Sequence, residues 1–376
     1  MTLRFTKSIN IPTFIRACFA ASLFFTAMPA RADIVIGVAG PLSGQYQSFG
    51  TQMLNGVKAA VDAANATGGI NGENLSIISA DDQCDNRKAE DAAQTLINQR
   101  VDVVIGHFCS YPSLNAAKLY AKAQISMISP TASLPALTTS GLGNVVRLAM
   151  RDDQQGAFAA RRILQKRADA NVAVLNDASP NNKAITTQFV EAYGKPPSLV
   201  ASITPDAKDF SVIFNKIKAQ QISTIFFAMN PSDAGHIVAA AAQAGLALKF
   251  YGSDALLADQ YWEAAGPAGE NTMASFAPDP QRDAASHAVI AALKVAGQTA
   301  DGATLPSYAA TELFVAAAKA KGPHSGLAIS DWLKQDQSIN TALGPLQFDA
   351  GGDVKNLNFT WFAWHDGTYQ AIVPEN

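Results

Sequence analysis

The sequence has few charged residues for its length. Only 16% of its 376 residues are Asp, Glu, Lys or Arg, whereas 48% are hydrophobic. Intrinsically disordered chains and long coiled coils are much richer in charge, so both classes are excluded. A chain of this length exceeds what one hydrophobic core usually organises, and we therefore expect two packed lobes.

Long apolar runs are also missing after the N-terminal 32 residues, which themselves have the pattern of a cleaved secretory signal. Arg4, Lys7 and Arg16 supply its positive region, residues 17–28 a mostly apolar stretch, and residues 30–32 (Ala-Arg-Ala) a small-x-small cleavage site. The apolar stretch is too short for a stable membrane anchor. We predict a signal peptide over residues 1–32 and hence a secreted protein; the alternative is that this segment is a buried helix.

Positive charge is scarce once this leader is removed. The leader contains four basic residues and no acid, so its loss changes the net charge from −3 to −7. The remaining chain has no basic surface of the kind that binds nucleic acid.

Cysteine is rare as well. Cys18 belongs to the leader, which leaves Cys84 and Cys109. In an oxidising compartment such a pair is most simply a disulfide, contributing ~3.5 kcal/mol by chain entropy; two buried thiols are the alternative. Neither cysteine lies in a CxxC motif, so redox catalysis and zinc binding both lack a signature.

Motifs of enzymes are absent too. The sequence contains no GxSxG, HExxH, GxxxxGK[ST] or GxGxxG. We therefore predict neither an enzyme nor a cofactor or metal site. The histidines show no ligand spacing and are predicted to be structural or on the surface: His107, His236, His287, His324 and His365.

Short apolar runs alternate with amphipathic helical patterns along the chain. This alternation predicts parallel sheets covered by helices on both faces, and it begins a second time after residue 150. Near the end, His365-Asp366-Gly367 between two apolar runs predicts a hairpin. The predicted strands are residues 34–38, 75–79, 101–105, 125–128, 171–175, 199–203, 224–227, 248–251, 359–364 and 368–373.

Three polar loops follow predicted strands, at residues 106–112, 129–133 and 252–254. Ligands of parallel sheets bind at the carboxyl ends of strands, where helix N-termini present free N–H groups. The hydroxyls of Ser110 and Ser133 suit a carboxylate, whereas Asp254 suits a cation. Together they indicate a receptor for a zwitterion, although each residue has helix capping as its alternative role.

Five segments, in this order and spacing, resemble the periplasmic leucine/isoleucine/valine-binding proteins of ABC importers, and the likeness covers essentially the whole chain after the leader. They are Gly40-Pro41-Leu42-Ser43-Gly44, Gly68-Gly69-Ile70-Asn71-Gly72, Asp81-Asp82-Gln83-Cys84-Asp85, residues 105–110 (IGHFCS) and residues 343–349 (LGPLQFD).

The resemblance implies a type I periplasmic binding protein, an α/β fold with two Rossmann-like lobes joined by three crossing strands. The N-terminal lobe is expected over residues 33–150 and 278–357, and the C-terminal lobe over residues 151–277 and 358–376. Such a protein closes around a small amino acid and delivers it to an inner-membrane permease. We expect it to act as a monomer.

The resemblance also implies the ligand-binding residues. Ser110, Thr131, Ser133 and Asp254 match positions that hold the carboxylate and the ammonium of the ligand, and Phe49 matches an aromatic cover. The positions where the family usually has tyrosine are Asn181 and Asn230 here. An amide in place of a ring adds donors and acceptors, which argues against a purely aliphatic ligand.

Other functions remain open at this stage. The same scaffold suits a receptor for aromatic or other organic carboxylates, which needs no partner for an ammonium group. A soluble sensor that presents its ligand to a signalling protein is a further alternative. A secreted hydrolase is the least supported, since no activated nucleophile is visible.

Overall fold

The computed structural model describes residues 1–2, 34–355 and 358–372. The predicted signal peptide lies outside this range except for its first two residues. Within the described residues, no helix has both the length and the apolar character needed to cross a membrane.

Strands and helices alternate through most of the chain. The strands are β1 Ile34–Gly40, β2 Leu75–Asp81, β3 Val103–Gly106, β4 Ser126–Ser129, β5 Val145–Arg147, β6 Val172–Asn176, β7 Leu199–Ser202, β8 Thr224–Ala228, β9 Lys249–Gly252, β10 Met273–Phe276, β11 Ile339–Thr341, β12 Gly344–Leu346, β13 Thr360–His365 and β14 Thr368–Ala371. The helices are α1 Gln47–Ala66, α2 Asn86–Asn98, α3 Ser110–Lys122, α4 Ala136–Thr139, α5 Gln154–Lys166, α6 Pro180–Tyr193, α7 Ser211–Ala219, α8 Pro231–Gln243, α9 Asp259–Ala265, α10 His287–Val295, α11 Thr304–Lys321 and α12 Ala328–Leu333.

The first sheet is parallel throughout, in the order β2-β1-β3-β4-β5. Its side chains alternate between two cores, as period-2 strands require. Ile36 and Val38 pack with α1, α11 and α12 on one face. Ala39 and Val104 pack with α2 and α3 on the other. These layers form the first lobe.

The second sheet has the order β14-β13-β10-β9-β8-β6-β7. Strands β6 to β10 are parallel, and β13 and β14 add an antiparallel hairpin at one edge. Helices α5 and α6 cover one face of this sheet. Helices α7, α8 and α9 cover the other face, and these layers form the second lobe.

The chain passes between the lobes three times: between β5 and α5, after β10, and between β12 and β13. The predicted α/β class, the parallel sheets and the terminal hairpin are confirmed, the hairpin pairing His365 with Thr368. The sequence did not reveal the four short strands β5, β10, β11 and β12.

Candidate functional site

The loop after β3 carries Ser110 to the carboxyl edge of the first sheet. Gly106 begins this loop at φ +145°, and a Cβ added there would lie 2.2 Å from the carbonyl oxygen of Ala39, so the close approach requires glycine. The Ser110 Oγ accepts hydrogen bonds from the backbone N–H groups of Ser133 (3.2 Å) and Leu134 (3.3 Å). Ser110 therefore joins the loops that follow β3 and β4.

A disulfide and a buried polar network support the same loop. The structure confirms the predicted bond between Cys84 and Cys109, whose Cα atoms are 5.5 Å apart. The fully buried His107 has its Nδ1 2.6 Å from Asp82 Oδ2 and its Nε2 3.1 Å from the hydroxyl of Tyr120. Because Asp82 Oδ1 also accepts from the N–H of Cys84 at 2.8 Å, the network connects the disulfide to the loop interior.

Thr131 and Phe49 both contact Phe108, two residues before Ser110. The Thr131 hydroxyl donates to the carbonyl oxygen of Phe108 at 3.0 Å. The ring of Phe49 stacks on the ring of Phe108 with centroids 4.8 Å apart, and Phe49 is 37% exposed. An accessible aromatic face thus lies beside the polar loops.

Ser133 connects the first lobe to the first crossing segment. Its Oγ donates to Asp152 Oδ2 at 2.9 Å, and its carbonyl oxygen accepts from the N–H of Asp152 at 3.2 Å. Asp152 was not recognised from the sequence. The sequence signal for it, an acid in the segment that follows a strand, was hidden because β5, Val145–Arg147, has only three residues.

Asp254 follows β9 and is held by Gln155 of α5. The N–H of Asp254 donates to Gln155 Oε1 at 2.8 Å, and Asp254 Oδ1 accepts from Gln155 Nε2 at 2.9 Å. The buried Gln155 also accepts from the Ser275 hydroxyl at 3.1 Å. The Asp254 carboxylate is therefore fixed in position.

The two acids Asp152 and Asp254 form an electrostatically unfavourable pair. Burial raises the pKa of Asp254. Burial, and then the nearby Asp254 carboxylate, raise the pKa of Asp152 to about 6, although the hydrogen bond from Ser133 opposes this. Both acids would be stabilised in their charged form by a cation placed between them.

A second polar group lies at the carboxyl ends of β8, which pairs with β9, and of β6, which pairs with the other edge of β8. Asn230 donates its backbone N–H to Asp177 Oδ2 at 3.1 Å and caps α8 by accepting from Ser232 N–H at 2.9 Å. The side chain of Asn182 donates to both oxygens of Asp177. Burial raises the pKa of Asp177, but hydrogen bonds from Ser179, and then those from Asn182 and Asn230, hold that pKa below its ordinary value.

Asn181 lies in the first turn of α6, at the same edge. A Cβ added to Gly156 would lie 2.0 Å from Ile185 O, and the Tyr193 hydroxyl donates to Ala170 O at 3.2 Å, so α5 and α6 run parallel. The Oδ1 atom of Asn181 is buried and has no hydrogen-bond partner within the part of the chain that the structure describes.

The structure brings Ser110, Thr131, Ser133 and Phe49 into one connected cluster on the first lobe. Asp254 lies on the second lobe, close enough to Asp152 to affect its pKa. Asn181 and Asn230 share the carboxyl edge of the second sheet with Asp254. Over residues 34–355 and 358–372, no group of three or more His, Cys, Asp or Glu side chains is arranged to hold a metal ion.

Two α/β lobes that place polar loops at facing sheet edges define a two-lobed ligand-binding protein. The family model of the periplasmic binding proteins matches residues 33–366. The chain belongs to the periplasmic binding protein family.

Comparisons with individual proteins agree with this assignment. Over 339 residues the chain is 31% identical to the Leu/Ile/Val-binding protein homolog 2 of Brucella abortus (strain 2308), covering 89% of this chain and 91% of that one. An ABC transporter substrate-binding protein of Desulfitobacterium hafniense, in complex with Leu, has a TM-score of 0.73 at 22% identity, covering 91% of this chain and all of that one. A solute-binding protein of Rhodopseudomonas palustris HaA2, in complex with p-hydroxybenzoic acid, has a TM-score of 0.68 at 19% identity and covers 90% and 95%.

Proposed function

We propose that the chain is a periplasmic substrate-binding protein of an ABC importer, and that it binds a small amino acid between its lobes. The observation that carries this proposal is that Asp152, which accepts a hydrogen bond from Ser133, lies close enough to Asp254 for the two acids to repel each other. An ammonium group between the two carboxylates relieves their repulsion. The adjacent hydroxyls and N–H groups of the first lobe then receive the carboxylate of the same ligand.

The residues for the carboxylate are Ser110, Thr131 and Ser133. The N–H groups of Ser133 and Leu134, which now donate to Ser110 Oγ, point at one place between the β3 and β4 loops. Charge-assisted hydrogen bonds contribute about 1.5–3 kcal/mol each. After several kcal/mol of association cost, they support micromolar affinity, about −8 kcal/mol.

The region for the ligand's side chain is mixed in character. Phe49 offers an apolar face, whereas Asn181 offers a buried side-chain oxygen that accepts no hydrogen bond within the described part of the chain, and Asp177 on the same sheet edge adds negative charge. Acceptors favour a side chain that donates hydrogen bonds, and the carboxylates of Asp152 and Asp254 disfavour an acidic one. We therefore propose a polar amino acid ahead of leucine.

The wider setting follows from the family and from the leader sequence. We propose that residues 1–32 are a signal peptide, that the protein works in the periplasm as a monomer, and that it delivers its ligand to an inner-membrane permease without chemical change. The proposed lobe boundaries are residues 33–150 with 278–357, and residues 151–277 with 358–376.

A receptor for aromatic carboxylates is the second candidate. The stacked pair of Phe49 and Phe108 favours it, because an aromatic ligand could extend the stack. The relative from Rhodopseudomonas palustris binds such an acid. This candidate leaves the Asp152 and Asp254 pair without a cationic partner, so we rank it second.

A soluble sensor is the third candidate. Purification of the protein together with a signalling protein, in place of a permease, would identify it.

A thermal-shift screen tests the proposed function, since a ligand that binds only the folded state raises the melting temperature. The panel contains asparagine, glutamine, serine, lysine, leucine, glutamate and benzoate. We expect polar amino acids to raise the melting temperature most and glutamate least. Stabilisation by benzoate alone would replace the proposed function with the second candidate.

A further inference from the structure

A buried arginine connects the ligand loop to the third crossing between the lobes. Arg147, at the end of β5, is fully buried. Its Nε and Nη2 donate to Asp353 Oδ1 at 2.8 and 2.5 Å. Its Nη1 donates to the carbonyl oxygen of Leu134 at 2.7 Å and lies 3.5 Å from that of Ala132, on either side of Ser133. The Arg147 guanidinium therefore holds both the loop that contains Ser133 and the segment of the third crossing that contains Asp353.

The second oxygen of Asp353 faces the first crossing. Asp353 Oδ2 lies 3.5 Å from Nη1 of Arg151, and Arg151 also binds Asp153 through Nε at 2.9 Å and Nη2 at 2.5 Å. All these side chains are buried or partly buried. Arg151 and Asp353 are far apart in sequence and belong to two different crossing segments, so their contact depends on how the lobes are arranged.

We propose that Arg151 is a positioning residue that holds the two lobes in the ligand-binding arrangement. In this arrangement Ser133 of the first lobe meets Asp152, and Asp152 lies near Asp254 of the second. Rotation about the crossings carries Arg151 and its tight partner Asp153 away from Asp353. The longer Arg151 to Asp353 contact is the one that breaks, while Arg147 keeps Asp353 in place.

This role has a particular signature in binding. A residue that sets the population of the binding-competent arrangement changes the apparent affinity for every ligand by the same factor, because the apparent Kd is the intrinsic Kd divided by the competent fraction. A residue that touches the ligand changes affinity differently from one ligand to another.

The test combines calorimetry with a distance measurement between the lobes. Cysteines at the exposed positions Lys118 of α3 and Lys216 of α7 carry spin labels, and their separation is measured by double electron–electron resonance in the protein without ligand. We expect Arg151→Gln to lengthen or broaden this separation. We also expect it to weaken binding by about threefold to tenfold for two different ligands alike.

Two further variants serve as controls. Arg151→Lys keeps the positive charge but loses the planar guanidinium with its several N–H donors. We therefore expect an intermediate effect on both the separation and the affinity. Lys58→Gln removes an exposed ion pair with Asp62 on α1, away from the crossings, and we expect no effect. If Arg151→Gln fails to fold by circular dichroism, Arg151→Lys carries the test by itself.

Two results would overturn the inference: an unchanged separation with unchanged affinities, or a loss confined to one ligand. The affinity measurement rests on the proposed function, whereas the separation needs no ligand. If the wild-type protein binds no amino acid, the proposed function fails, and the separation in the Arg151 variants still decides the role of Arg151.

Discussion

Gln155 and Asp254 hold each other by two reciprocal hydrogen bonds, one to the backbone and one to the side chain of Asp254. Because Gln155 lies in the first turn of α5, directly after the first crossing, the position of Asp254 is coupled to the segment on which Asp152 lies. The proposed ammonium site, Asp152 with Asp254, thus combines residues from distant parts of the chain.

Removing the Asp254 carboxylate should abolish most ligand binding. With Asp254→Ala, a ligand ammonium enters the site with one of its two carboxylates missing, which costs roughly 3–5 kcal/mol of affinity. Titration calorimetry with the best amino acid from the screen measures this loss. Glu263→Ala, an exposed acid on α9, is the matched control and should bind as wild type does. Undiminished binding by the Asp254 variant would remove Asp254 from the site.

The serines should matter less individually. Ser110→Ala and Ser133→Ala each remove one hydroxyl but leave the backbone N–H groups, so we expect affinity losses of about 1–2 kcal/mol. Calorimetric titrations of both variants check this. If both variants bind the ligand with wild-type affinity, these hydroxyls do not contact the ligand and make only the loop contacts described above.

Amino-acid binding should depend on pH through Asp152. Its pKa in the folded protein, about 6, lies above the ordinary 3.8. The stability of the free protein therefore falls as pH rises through the interval between these values. An ammonium ligand keeps Asp152 charged, so affinity should increase as pH rises to about 6 and then level off.

Proton release measures this linkage directly. Near pH 5.5, calorimetry in buffers of different ionisation enthalpy should show protons released on binding, and Asp152→Asn should remove most of the release. Uptake of protons would instead indicate an anionic ligand lacking an ammonium group, as in the second candidate function.

The disulfide should contribute to stability and to the ligand loop. Replacing Cys84 and Cys109 together by serine should lower the free energy of unfolding by about 3 kcal/mol, because the unfolded chain loses a constraint. Urea denaturation of the double variant, compared with the wild-type protein under oxidising conditions, measures the difference. Equal midpoints would show that the bond contributes nothing to stability.

The stability of the protein should be more sensitive to changes in the buried network of His107 and Asp82, which lies under that loop. His107→Ala leaves the carboxyl group of Asp82 buried with its main partner removed. We therefore expect the free energy of unfolding to fall by about 3–5 kcal/mol. Adding Asp82→Asn should recover part of this loss. His236→Ala, at an exposed position on α8, is the control and should change little. A stability equal to wild type in His107→Ala would contradict a structural role for the network.

Sequence patterns predicted what depends on local periodicity and motif order. Buried strands such as β1 and β6, the amphipathic helices between them and the Asp366-Gly367 turn all have local signals. Strand β5 was missed because it has only three residues, and Asp152 was missed with it. Gln155 gives no local signal at all, because a glutamine inside a helix is ordinarily exposed and only the tertiary fold buries it.

Contacts between distant segments could not be predicted from local sequence patterns for the same reason. Arg147 and Asp353 are 206 residues apart, and no periodicity relates them. The polar loops after strands indicated Ser110, Ser133 and Asp254, and the resemblance to a known family added Thr131 and Phe49, but a resemblance transfers only positions that match a motif. The ion pairs at the crossings belong to no such motif and required coordinates.

The position of α11 has a consequence for biosynthesis. This helix packs on α1 and supplies much of the apolar cover of the first sheet, although it begins only at Thr304. A nascent chain that has just completed β5 therefore has all five strands of the first sheet, but only α1 on the face that α11 and α12 also cover in the folded protein. This core can close only after most of the remaining sequence has been synthesised.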